Sequence, residues 1–171
     1  MKQYTRLILA LVVLIGIAGT FILYLSWPLL TGKTIILATR PVDPFDILRG
    51  QYIIINYEIN SLPLIEEAKQ GDSVYVSLKK DENKIWRYQS ASLNKPQEGD
   101  FIKGAIRSVS GGDMAIEYGI EQFFFERDAE FPQRDLTVEL KVSSSGQARI
   151  LQLLHNGEPL NITYKKPGFT S

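Results

Sequence analysis

The chain of 171 residues contains no cysteine. That one absence excludes disulfide staples, a lipid-modified cysteine, thiol catalysis and cysteine metal sites, so the fold must stand on packing alone. Histidine is nearly absent as well. With His155 as its single imidazole, a transition-metal site would rest almost wholly on carboxylates, and neither a metal nor a cofactor is expected. An excess of basic charge is also missing: 19 lysines and arginines face 19 aspartates and glutamates. Lys2 and Arg6 both precede a long apolar run, which leaves 17 basic against 19 acidic residues for the remainder. A slightly acidic domain lacks the clustered positive field of a nucleic-acid binder, so nucleic acid is excluded as a partner. No internal repeat is present. Phosphate-binding loops are absent too, because Gly111-Gly112-Asp113 leads into an apparent strand rather than a helix N-terminus.

What the sequence does have is an uncharged stretch from Leu7 to Leu25, LILALVVLIGIAGTFILYL. As a helix it is about 28 Å long, close to the hydrocarbon thickness of a bilayer. Lys2 and Arg6 lie just before it and the next basic residue is Lys33, so the positive-inside bias places the N-terminus in the cytoplasm and the rest outside. Tyr24 and Trp27 suit the membrane interface, and Pro28 is expected to mark the helix exit. A cleaved signal peptide is the competing reading. Against it, the apolar run is long, and the small-residue pattern Gly16-Ile17-Ala18 is buried within it, with Phe21, Ile22 and Leu23 following. The expectation is a single-pass signal-anchor over residues 1–30, an extracytoplasmic domain over 31–165 and a loose tail over 166–171.

Beyond the anchor, β-prone runs alternate with turn signals: Thr34 to Thr39, Gln51 to Ile59, Ser73 to Leu78, Lys84 to Ser90, Phe101 to Val109, Met114 to Tyr118, Gln122 to Phe125, Leu136 to Val142, Ala148 to Leu154 and Leu160 to Tyr164. Their spacing predicts a mainly β fold, an antiparallel sandwich or barrel with at most one or two short helices. Strict alternation in Ser73 to Leu78 and in Leu136 to Val142 gives each strand one wet face. Gly71-Asp72, Glu98-Gly99-Asp100, Gly111-Gly112-Asp113, Ser145-Gly146 and Asn156-Gly157 supply the turns. Ser61 to Ala68 reads as a short helix with Ser61 as N-cap.

The densest polar segment runs Arg40-Pro41-Val42-Asp43-Pro44-Phe45-Asp46-Ile47-Leu48-Arg49-Gly50-Gln51-Tyr52-Ile53-Ile54-Ile55-Asn56-Tyr57. It resembles the GDYXXLXY family of membrane-anchored proteins. Gly50, Tyr52 and Tyr57 match the naming motif; Gln51 stands where the family has aspartate, and Ile55 where it has leucine. No essential acid, base or metal ligand is therefore assigned to position 51. Tyr118 to Glu126, and Gly146 to Ile150 with Asn156 to Leu160, also resemble the family. The resemblance implies location rather than mechanism, and an integral membrane protein as partner.

Physically, Pro41 and Pro44 would fix an extended loop, Asp43 and Asp46 would bond nearby amides, and Gly50 would permit a tight turn into the strand. The alternative makes Arg40, Asp43, Asp46 and Arg49 a polar patch for an anionic ligand or a partner chain. Tyr52 and Tyr57, five apart, fall on opposite faces of a regular strand. Phe123-Phe124-Phe125 reads by default as a core strand, and a ring exposed from it would make a good interface anchor. His155 reads as a strand-end residue ahead of the Asn156-Gly157 turn. No triad, dyad or metal spacing assembles, and Ser26 lacks the flanking methionine of signal peptidases. The expected class is a non-catalytic accessory or interaction domain for a membrane or envelope partner. The alternative is an exported hydrolase or peptidase-like enzyme using the cluster around Asp43, Asp46 and Arg49.

Overall fold

The computed structural model describes residues 2–40, 52–125, 129, 130, 132 and 134–164. Its first element is helix α1, Lys2–Thr31. Within it Tyr4–Ser26 has a mean hydropathy of 2.7 and buries none of its most apolar window in the protein. Length and composition fit a membrane span and a signal sequence alike. The helix continues past Pro28 to Thr31, so the proline does not mark the exit: inside a helix a proline removes one i→i−4 hydrogen bond, a cost that can be met without ending the helix. Gly32 alone separates α1 from the first strand, and the Lys141 ammonium donates to the Gly32 carbonyl at 3.0 Å.

The rest is mainly β. In chain order the strands are β1 (Lys33–Ala38), β2 (Tyr52–Ile54), β3 (Ser61–Pro63), β4 (Ser73–Lys80), β5 (Trp86–Ser92), β6 (Asp100–Ser110), β7 (Asp113–Glu117), β8 (Gln122–Phe124), β9 (Ala129–Glu130), β10 (Leu136–Val142), β11 (Ala148–His155), β12 (Glu158–Pro159) and β13 (Thr163–Tyr164). Nine of them form one sheet in the order β12-β11-β10-β1-β5-β4-β6-β7-β3. All pairings in it are antiparallel except β1 with β5, which meet in parallel at Leu37 and Trp86. The alternating apolar residues of β4 and β10 set the register by pointing Val74, Val76 and Leu78, and Leu136, Val138, Leu140 and Val142, into the core.

The sheet curls back on itself. Just beyond β1, Thr39 bridges Tyr57 and the Arg40 N–H donates to the Asn56 carbonyl at 2.7 Å. The chain leading into β3 at one edge is thereby tied to β1 in the middle, and β1, β5, β4, β6, β7 and the 52–63 segment form a ring of pairings. Strands β10, β11 and β12 extend outward from β1. Bulges that leave Gln89, Arg107 and Leu151 unpaired interrupt the ladders and add the local twist that closure requires. Where β6 passes under β7, Gly104 leaves no room for a side chain: a Cβ there would meet Ile116 Cγ2 at 2.5 Å and the Glu117 carbonyl at 3.0 Å.

Two expectations need correction. Ser61 to Ala68 is not a helix, since Ser61–Pro63 pairs with β7 at the sheet edge, where a proline's missing N–H costs nothing. Glu67, at φ 68°, breaks any helical continuation, and the short helical turn falls upstream at Glu58–Asn60. Leu160 to Tyr164 is not one strand either: Glu158 and Pro159 pair with β11, and Thr163 and Tyr164 pair with β9. The Gly111-Gly112 and Asn156-Gly157 hairpins form as expected, with positive φ at all four residues.

Candidate functional site

The motif strand alternates without a break: Ile53, Ile55, Tyr57 and Ile59 are buried, and Tyr52, Ile54, Asn56 and Glu58 are exposed. Only its first three residues pair as β2, with β8. After them Ile55 N–H donates to the Glu121 carbonyl and Thr39 bridges Tyr57, so the segment switches partners while keeping its phase. Tyr52 and Tyr57 do face opposite ways.

The inward half is a clasp. Tyr57 is wholly buried, and its hydroxyl donates to the Ile120 carbonyl at 2.7 Å. Tyr118 returns the arrangement, donating to the Ile59 carbonyl at 2.7 Å. Between the two phenols, Asn60 accepts the Tyr57 N–H and donates to the Ile116 carbonyl at 2.8 Å. The Glu121 carboxylate folds back onto the N–H groups of Tyr118 and Ile120, at 2.6 and 2.9 Å, around the left-handed turn at Gly119. Every polar side-chain atom buried here has a partner. Burial, with the nearby Glu121 charge adding to it, holds both phenols far above the ordinary tyrosine range. They are fixed hydrogen-bond donors and cannot serve as bases or nucleophiles near neutral pH. Sequence reasoning missed Asn60, Tyr118 and Glu121; the signal for them was Tyr118-Gly119-Ile120-Glu121, where a glycine turn brings a carboxylate over its own backbone.

The outward half is apolar and aromatic. Tyr52 and Phe124 lie across the β2–β8 ribbon with ring centroids 5.7 Å apart and planes tilted by 48°. Phe124 is 68% exposed, so Phe123-Phe124-Phe125 is not a uniform core strand: Phe123 and Phe125 pack on the core while the ring between them faces solvent. Beside this pair a cleft of about 500 Å³ is lined by Ile54, Asn56, Arg107, Glu117, Glu121 and Gln122, among others.

Of the other candidate residues, Arg40 is exposed and donates to the Glu58 carbonyl at 3.4 Å. Asp43, Asp46, Arg49, Gly50 and Gln51 lie outside the described residues. A neighbouring ion-pair group joins Arg87 to Glu58 and, at 3.1 Å, to Asp81. The Ile85 N–H, then Arg87 and the Asn83 N–H, hold Asp81 below the usual carboxylate range. Near α1, burial would raise Asp100, but Lys33 at 2.7 Å and the Trp86 indole outweigh it and hold the carboxyl low. Among the described residues no cluster of three or more His, Asp or Glu could hold a metal ion. The His155 ring lies 3.4 Å from the Asn156 side-chain amide at the strand end.

Fold and site together define a mainly β domain behind a long apolar helix, its motif strand half clasp and half exposed aromatic face. The chain belongs to the GDYXXLXY protein family, whose model matches residues 14–153. The match takes in the second half of the apolar stretch, the motif strand and all but the last two residues of β11. No curated protein and no solved structure matches the chain.

Proposed function

We propose that this protein is a membrane-tethered, non-catalytic interaction domain: α1 is an uncleaved single-pass anchor with its N-terminus in the cytoplasm, and the β domain engages an integral membrane or envelope partner outside. The observation that carries the reading is the division of the motif strand. Its inward tyrosine is committed to holding the fold, whereas its outward tyrosine joins a largely exposed phenylalanine, and exposed aromatic pairs are good interface anchors.

Anchorage is supported by the uncharged length of α1, by Lys2 and Arg6 ahead of it, and by the single residue separating it from β1. β1 starts one residue after α1, and Thr39, just past its other end, lies about 20 Å from Lys33 at the usual strand rise. The Tyr52–Phe124 face is tied to that far end through the Thr39–Tyr57 bridge and so is remote from the anchor junction, which suits a partner that projects from the bilayer or belongs to the envelope.

The test is affinity capture from native membranes with the full chain and with a version lacking residues 1–30. A specific integral membrane or envelope component recovered with the full chain, and resistance of that chain to alkaline extraction, are the expected results. Quantitative release of the full chain by alkaline carbonate, or processing to a shorter soluble form, would overturn the anchorage.

A further inference from the structure

At the membrane-proximal end, opposite the motif face, the last apolar turns of α1 and the β10–β11 hairpin enclose a cleft of about 560 Å³. Leu23, Tyr24 and Leu25 form its helical side; Ser143, Ser144, Ser145 and Arg149 are on the hairpin side. We infer that this cleft binds an anionic phospholipid of the leaflet facing the domain, with an acyl chain along α1 and the phosphate held by Arg149 and the serine hairpin. The inference rests on α1 spanning the bilayer.

Charge and hydrogen-bond capacity both point to a phosphate. Arg149 is exposed and forms no ion pair among the described residues. Its cross-strand neighbour is Lys141, and no carboxylate lines the cleft among the described residues. Neither Arg149 nor Lys141, whose ammonium already donates to the Gly32 carbonyl, has an ion-pair partner among the described residues, so the positive charge of Arg149 at the cleft is unopposed there.

The serines add donors. Ser143 Oγ and Ser145 Oγ are 2.8 Å apart, and Ser143 Oγ accepts the Gln147 N–H at 3.2 Å. Whichever serine donates to the other, the second hydroxyl proton of the pair points elsewhere, free for an acceptor. The tight hairpin is held in place from beneath, because Gly146 packs where a Cβ would meet Phe101 at 2.8 Å, and its carbonyl accepts the Lys103 N–H at 2.8 Å. Tyr24 sits at the depth where an interfacial ring meets headgroups. A cation and hydroxyls above an apolar helix face match a headgroup phosphate above an acyl chain.

The experiment reconstitutes the full chain into nanodiscs of equal phosphatidylglycerol and phosphatidylcholine, releases it into mild detergent and counts retained lipid by native mass spectrometry. Phosphatidylglycerol should be retained in preference. Arg149→Gln should lower that retention about tenfold, the scale of one charge-assisted hydrogen bond, while Lys69→Gln, at an exposed cation at the opposite end of the domain, leaves it unchanged. Equal retention of both lipids, equal loss in the two variants, displacement by soluble glycerol phosphate, or crosslinking of another helix through position 144 in place of lipid would each overturn the inference. Failure of the chain to enter nanodiscs would instead remove the anchorage on which it rests.

Discussion

Replacing Tyr57 by phenylalanine isolates the clasp, because the ring that fills the core is kept and only the hydroxyl is removed. The lost group is the donor 2.7 Å from the Ile120 carbonyl, at a side chain with no solvent exposure. The substitution therefore removes a hydrogen bond and also strands a buried acceptor. A lone hydrogen bond nets about 1 kcal/mol, whereas an unsatisfied buried group costs about 1–3 kcal/mol; about 2 kcal/mol is expected here. For a domain of this size that moves the thermal midpoint by roughly 6 °C. Tyr118→Phe should cost somewhat less, since Tyr118 keeps 8% of its surface exposed and water can partly reach the freed Ile59 carbonyl. Both phenols tie the 57–60 segment to the 116–121 segment, so the double variant should depart from additivity by at least about 0.5 kcal/mol. Urea unfolding of the full chain in mild detergent, followed by the fluorescence of buried Trp86, measures all three. A Tyr57→Phe protein within about 0.5 kcal/mol of the parent would refute the clasp as a stabilising element.

The same two phenols set an alkaline limit. They stay protonated in the folded state but ionise near pH 10 once unfolded, so their contribution is complete below about pH 10 and falls above it by roughly 1.4 kcal/mol per pH unit for each tyrosine. Comparing the parent with Tyr57→Phe in denaturant titrations between pH 9 and 11 should show the variant losing about half of that tyrosine-dependent slope. Gly104→Ala should destabilise the domain by about 2 kcal/mol through overpacking, because the new methyl would collide with buried Ile116 and with the Glu117 backbone; unfolding midpoints check this, and an unchanged midpoint would mean that β6 and β7 can separate freely.

How much of this was legible in the sequence depended on distance along the chain. Where one strand carries a strict alternation, as in Leu136 to Val142, the pattern gave the strand and its buried face, and the Asn-Gly and Gly-Gly pairs gave their hairpins. Ile53-Ile54-Ile55 hid its phase because each residue is equally apolar, and only Tyr52 and Tyr57 on either side revealed that the faces differ. Ser61 to Ala68 misled because Ser-x-x-x-Ile-Glu-Glu-Ala carries helix propensity, while the edge of β7 offered pairing to Ser61, Leu62 and Pro63 at its start; tertiary pairing won there. The clasp was illegible in spacing, since Tyr57 and Ile120 lie 63 residues apart and meet only when the sheet closes. Asp43, Asp46 and Arg49 fall outside the described residues.

The most direct test of an outward interaction face is site-specific photocrosslinking in native membranes, with the photoreactive residue at Phe124 in one full-length protein and at Tyr88, on β5 and 40% exposed, in another. The proposed function predicts one discrete adduct with a membrane or envelope component from position 124 and none from position 88. Equal labelling from both positions, or no adduct from position 124, would contradict it.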